Sequence, residues 1–166
     1  MNKIVAMMMM AMVAALLFCG PAWASDWTVT VPVSESQVDL WLTHAYGRVQ
    51  IGPVVTWVDQ DEIPEGDGIG GGLVATYDLL KEDAQFSVGG VDIPVQWFIG
   101  GKAEVMYLMD AKDLDPAPSL LTGFRFGSDK AGVSVVYEFA LTNELWSVLV
   151  PREEQHVLSF APYWRF

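Results

Sequence analysis

Two histidines, His44 and His156, are the only imidazoles in a chain of 166 residues, so any acid–base chemistry near neutral pH starts with them. His156 precedes Ser159 by three positions in an alternating segment, which sends the two side chains to opposite faces of a strand. A serine nucleophile needs its base within hydrogen-bond reach, so this pair predicts no triad. His44 stands two positions before Tyr46 on an apolar face and is expected in an aromatic girdle. The single thiol, Cys19, falls at the end of an N-terminal apolar run. The remainder of the chain has no cysteine for a disulfide, a nucleophile or a thiolate metal site. Gly66-Asp67-Gly68-Ile69-Gly70-Gly71 matches G-x-G-x-x-G, but that fingerprint works only between a strand and a helix N-terminus. Here the glycines lead into a strand. The acidic run Asp59-Gln60-Asp61-Glu62-Ile63-Pro64-Glu65-Gly66-Asp67 offers carboxylates to Ca²⁺ or Mg²⁺. It lacks the ligand spacing and glycine of an EF-hand loop, and reads as a solvated loop able at most to hold divalent ions loosely. No catalytic, cofactor-binding or metal-ligating residue is expected.

What remains is a set of charges of both signs: Lys102, Glu104, Arg125, Glu138 and Arg165. Each falls on the polar face of a segment whose other face is apolar. Such a set could line a conduit for ions, or could close an interior as a salt-bridged plug. The plug is the expectation, because an eight-stranded barrel is only wide enough for side chains to fill and charges inside it must find partners. Which residues pair depends on strand stagger.

The elements that position these charges are strands. Over residues 93–109 the odd positions, from Ile93 through Trp97 and Val105 to Met109, carry no polar side chain, while the even ones include Gln96, Lys102 and Glu104. Period two marks a strand with unlike faces. A break at Gly100-Gly101 is the alternative to one long strand. Residues 120–127 and 133–142 repeat the pattern, with Arg125 and Glu138 on the polar side. So do 49–57 and 69–79; 27–33 and 38–46 are weaker. With the last segment, 156–166, the count is eight. In soluble sandwiches the polar face looks at bulk water. Here it is mostly Gly, Ser, Thr and Gln, which suits a narrow interior. The outer face is apolar with aromatics toward the strand ends, as lipid and its interfaces require. Closure follows, since an open edge in hydrocarbon leaves backbone groups unpaired.

The start of the chain has a different logic. Lys3 precedes an apolar run of about 15 residues, short of the ~20 that a spanning helix needs. Ala22 and Ala24 then supply the small-x-small pattern of a signal-peptidase site. Residues 1–24 are expected to be a cleaved signal peptide and 25–166 the barrel domain; lipidation at Cys19 is disfavoured by Phe18 before it. The formal net charge is −12, which argues against nucleic acid and against electrostatic binding to anionic headgroups.

The final segment narrows the class. Leu158, Phe160, Trp164 and Phe166 share one face, with Pro162 between them. This resembles the closing strand of bacterial outer-membrane barrels, and the chain as a whole resembles the small, about eight-stranded, OmpX-like and opacity-type members. The resemblance implies an all-β, closed antiparallel up-and-down transmembrane barrel in the outer membrane of a Gram-negative cell envelope. It also implies that Phe160, Trp164 and Phe166 are read by the barrel-assembly machinery, that outer-membrane lipid and lipopolysaccharide surround the wall, and that no cofactor is needed. Pro162 departs from the pattern and predicts an imperfect closing seam. With Phe166 periplasmic, Gly47-Arg48 and Ser128-Asp129-Lys130 become periplasmic turns, and 59–68, 110–118 and 143–155 outward acidic loops. The function expected is non-enzymatic, a structural or surface-interaction role. The alternatives are an outer-membrane lipid-modifying enzyme and a soluble periplasmic sandwich or lipocalin-like carrier.

Overall fold

Alternating segments pair through their backbones and leave two faces of opposite character. The computed structural model describes residues 26–58, 68–79, 84–109, 112–141 and 156–166. The expected leader 1–24, the acidic loop 59–67 and the connection 143–155 lie outside the described residues. Among the described residues nine strands form in chain order: β1 (Trp27–Thr30), β2 (Gln37–Tyr46), β3 (Val49–Val58), β4 (Gly68–Asp78), β5 (Gln85–Val88), β6 (Val91–Leu108), β7 (Asp113–Gly127), β8 (Ala131–Ala140) and β9 (His156–Arg165). All pairings are antiparallel. The first and last strands pair, and β4 pairs with β6, so every strand except β5 belongs to one closed wall.

The wall is staggered. Val33 bridges Val38 on one side and Phe160 on the other. From Phe160 the row passes through Val135, Phe124 and Trp97, whose carbonyl accepts from Leu79. Beside it, Asp78 donates to the Arg48 carbonyl. A row that leaves β2 near Val38 thus returns at the Gly47-Arg48 turn, a stagger of about ten residues, which tilts the strands by roughly 40° to the barrel axis.

Tight curvature needs small residues on the inner face. A Cβ added to Gly72 would stand 2.0 Å from the Ala103 carbonyl oxygen, and one on Gly100 2.2 Å from that of Ala75. Glycine therefore bends the β4–β6 seam without interrupting it. β6 runs unbroken through Gly100-Gly101, which removes the alternative of two strands there.

Two other expectations change. The outward loop expected at 110–118 is strand from Asp113 onward. Pro116 and Pro118 do not prevent this, for Pro118 accepts from Leu141 through its carbonyl. Its nitrogen therefore faces the β8 side, as does that of Pro116 two residues away, and the ladder to β6 loses no donor. β5 is the second change: a strand of four residues that no alternation announced. At Pro162 the seam loses one donor and no more: Val31 donates to the Pro162 carbonyl at 3.0 Å, the proline has no N–H to return, and pairing resumes at the Val33–Phe160 bridge.

Candidate functional site: a layered interior

The inward residues of the wall sort into three layers along the barrel axis. At the end where 59–67 and 142–155 connect strands (the loop end), Lys102 of β6 is surrounded by carboxylates from three strands. Its Nζ lies 3.0 Å from Asp39 Oδ2 of β2, 2.9 Å from Glu104 Oε2 and 2.9 Å from Glu138 Oε1 of β8. Those contacts use all three ammonium protons. Each acid has a neutral donor as well. Thr56 donates to Glu104, and Gln37 bridges Asp39 at 2.9 Å and Glu138 at 3.2 Å. Trp41 Nε1 donates to Asp39 Oδ2 at 3.1 Å. Lys102, Asp39 and Glu104 are all at least 95% buried.

The middle layer is apolar. Trp41, Val54, Val74, Phe98, Leu121, Val136 and Ala161, from β2, β3, β4, β6, β7, β8 and β9, form one buried cluster across the section. No charge stands in this septum.

At the other end (the turn end), the charges reverse. Arg125 of β7 pairs with Asp78 of β4 and donates to Thr76 Oγ1 at 3.0 Å. Its guanidinium lies 4.3 Å above the Phe98 ring, a cation–π contact that ties this layer to the septum. Arg165 Nε donates to Thr28 Oγ1 at 3.3 Å. Gln50, with its amide oxygen turned to both guanidiniums, accepts from Arg165 at 3.2 Å and from Arg125 at 3.3 Å. Tyr163 closes the layer by donating to the Ser128 carbonyl at 2.8 Å.

The five charges expected to form one interior set are therefore split. Lys102, Glu104 and Glu138 come together; Arg125 and Arg165 share the opposite layer. Asp39, Gln37 and Trp41 were missed because the alternation over 38–46 is weak, with Trp41 and Ala45 among the polar positions and His44 among the apolar ones. The signal was present: Asp39, Trp41 and Thr43 alternate with Leu40, Leu42 and His44. Among the described residues, no group of His, Cys, Asp and Glu is arranged to hold a metal ion. Where Asp39, Glu104 and Glu138 converge, the Lys102 ammonium occupies the centre.

No protein-family model matches the sequence, and neither does any curated protein. Solved structures do resemble it. The N-terminal β-barrel domain of Pseudomonas aeruginosa OprF aligns with a TM-score of 0.54 at 6% identity, over 84% of this chain and 95% of that one. This chain has the fold of a small eight-stranded barrel. Neisserial surface protein A (NspA) aligns over 85% of this chain and 94% of that one at 12% identity, with a TM-score of 0.47.

The outer face holds the other residues of interest. Phe160, Trp164 and Phe166 all point outward and are exposed. His156 points outward too, in an aromatic group: it hydrogen-bonds Tyr137, and its ring lies 5.6 Å from that of Tyr137 and 5.2 Å from that of Phe139. Ser159 is buried inside. The wall separates the two, which leaves no path for a proton from the hydroxyl to the imidazole. At the opposite rim His44 packs edge-on to Trp27 at 5.1 Å and against Tyr46 at 4.5 Å. Both histidines thus sit in girdles of the kind that mark lipid–water boundaries.

Proposed function

We propose that this chain is an integral, non-enzymatic outer-membrane barrel whose interior is a plug and whose acidic connections 59–67 and 142–155 meet the exterior. The observation that carries the reading is the sidedness of the wall. Its outer face is a continuous band of exposed apolar residues, with Leu73 58%, Val55 50% and Phe160 61% exposed, while Lys102 and Arg125 are buried inside. Water would penalise that band at about 25 cal/mol per Å²; a bilayer welcomes it. The interior charges are ion-paired or hydrogen-bonded within their layers and the septum between them carries no charge, so the wall supplies rigidity rather than passage. A lipocalin-like carrier would need open space where the septum stands, and a lipid hydrolase would need His156 and Ser159 on one face.

On this reading residues 1–24 direct export, and Phe160, Trp164 and Phe166 present the outward stripe that the assembly machinery engages. The short turns at Gly47-Arg48 and 128–130 face the periplasm, as short turns do in such barrels. Lipid and lipopolysaccharide are the wall's neighbours.

Fractionation of expressing cells, followed by electrophoresis of the outer-membrane fraction with and without boiling, tests this. The expected result is a band that changes mobility only on heating. A soluble periplasmic protein with no shift would end the proposal. In planar bilayers the purified protein is expected to leave conductance at baseline.

A further inference from the structure

β5 has no counterpart in the barrel wall. It pairs with the first residues of β6 through Gln85↔Pro94, Phe86↔Ile93, Ser87↔Asp92 and Val88↔Val91. Gly89 and Gly90 join the two strands with φ of 59° and 82°, the pair of positive values that a two-residue type I′ hairpin requires. The hairpin begins where the wall stops. On one side β4 ends its pairing at Asp78↔Phe98; on the other β7 pairs no further than Phe126↔Val95. Beyond that point, among the described residues, the ribbon has two strands and no further pairing at either edge. A lone hairpin of this length is marginal in water, so its persistence calls for a surface to lie on.

Its two faces say which surface. Phe86, Val88, Val91 and Ile93 share one face, and the first three are 53–62% exposed. Gln85, Ser87 and Asp92 share the other, where Ser87 hydrogen-bonds Asp92. The apolar face is not an isolated patch. Val91 and Ile93 continue the odd-numbered row of β6 that runs on through Val95, Trp97 and Ile99, the outward face of the wall. Trp97 stacks on Phe124 at 6.2 Å, and Phe124 meets Phe126 at 6.3 Å, an aromatic group at the rim from which the hairpin emerges. With a tilt of roughly 40°, four strand residues advance about 10 Å along the membrane normal. The headgroup layer on one side of a bilayer is about 5–8 Å deep.

We infer that the β5–β6 hairpin is a membrane-surface element, with Phe86, Val88, Val91 and Ile93 lying in the headgroup layer of the periplasmic leaflet and Ser87 and Asp92 facing the periplasm. The occupant of the apolar face is phospholipid. This rests on the outer-membrane reading above and adds a second lipid contact, outside the hydrocarbon band.

The test uses spin labels on the full chain in a Cys19→Ser background, purified from outer membranes and reconstituted in phosphatidylethanolamine–phosphatidylglycerol vesicles. Cysteines are placed singly at Val88, at Ser87 and, as a reference on the barrel wall, at Leu73. Each label's accessibility to oxygen, which partitions into lipid, is compared with that to a water-soluble nickel complex. The oxygen-to-nickel ratio is expected to be several-fold higher for Val88→Cys than for Ser87→Cys, and highest for Leu73→Cys. Equal, water-like ratios at 87 and 88 with a lipid-like ratio at 73 would overturn the inference while leaving the barrel in its membrane. A label at 88 shielded from both relaxants would overturn it in favour of a protein partner. Water-like ratios at all three positions would sink the membrane reading itself.

Discussion

The two charged layers of the barrel lie on opposite sides of one apolar septum and stabilise buried charge in different ways. At the loop end a single point-like ammonium, Lys102, faces three carboxylates. At the turn end Arg125 pairs with one carboxylate, Asp78, while its guanidinium and that of Arg165 lean on neutral acceptors at Thr76, Thr28 and Gln50. The first layer depends on one residue; the second distributes its load. A lysine offers three protons to whatever surrounds it, so it can centre a cluster of acids. An arginine's rigid fork instead reads two partners and leaves its face free for an aromatic ring, here Phe98.

That contrast ranks the consequences of substitution. Lys102→Met removes the cation that holds Asp39, Glu104 and Glu138 together and leaves three buried carboxylates facing one another. Breaking a buried ionic group from one side costs about 3–5 kcal/mol, and this is the largest loss expected. It is read as a lower temperature for conversion of the folded to the heat-denatured band. Adding Glu104→Gln to Lys102→Met should recover part of that loss, because the cluster then carries one negative charge fewer. If Lys102→Met converts at the wild-type temperature, the acids are not held by Lys102.

The septum comes next. Val74 is fully buried among Trp41, Val54, Phe98 and Leu121. Val74→Ala deletes two methyl groups' worth of packing and leaves a void in a layer with no charged group to attract water. At about 0.8 kcal/mol for each buried CH₂ plus a cavity contribution, the loss is about 2–3 kcal/mol, measurable by urea unfolding in detergent micelles. A value below about 0.5 kcal/mol would mean that the septum closes over the gap and does not hold the two layers apart.

At the turn end Arg125→Lys keeps the charge and loses the geometry. An ammonium cannot reach Asp78 and Thr76 together while lying flat over Phe98, so the expected cost is about 1–2 kcal/mol in the same unfolding experiment. The comparison sharpens if this conservative change costs less than Lys102→Met, and breaks if it costs more.

The sequence makes some of this arrangement readable and hides the rest for identifiable reasons. β6 is legible because every second residue is apolar over its whole length, and β9 because the same holds from Leu158 onward; the inward placement of Lys102, Glu104, Arg125, Glu138 and Arg165 follows from parity alone. Pairing is not legible, because it depends on the stagger of strands far apart in the chain. Asp39 and Lys102 belong to β2 and β6, and nothing local to either announces the other. The septum escapes for another reason. Val54, Val74, Phe98, Leu121 and Val136 each interrupt a face that is otherwise small or polar, so each looks like an exception within its own strand. Only when the strands are set side by side do the exceptions align into a layer. β5 was hidden by brevity: four residues offer two positions to each face, too few for a period to show.

The smallest expected effect tests whether septum and acidic layer are one structure or two. Trp41 belongs to both, since its ring packs in the septum while its Nε1 donates to Asp39 at 3.1 Å. Trp41→Phe keeps most of the ring and removes that donor. Asp39 retains Lys102 and Gln37, so its charge stays compensated, and the loss should be the net value of one hydrogen bond, about 0.5–1.5 kcal/mol. Repeating the substitution with Lys102→Met in place separates the two possibilities. If the indole proton helps hold the Asp39 charge in place, Trp41→Phe costs more once the ammonium is gone, and the double variant loses more than the two single losses combined. If Trp41 serves only the septum, the losses add to within about 0.5 kcal/mol, and the layers are neighbours that share a residue without sharing its energy.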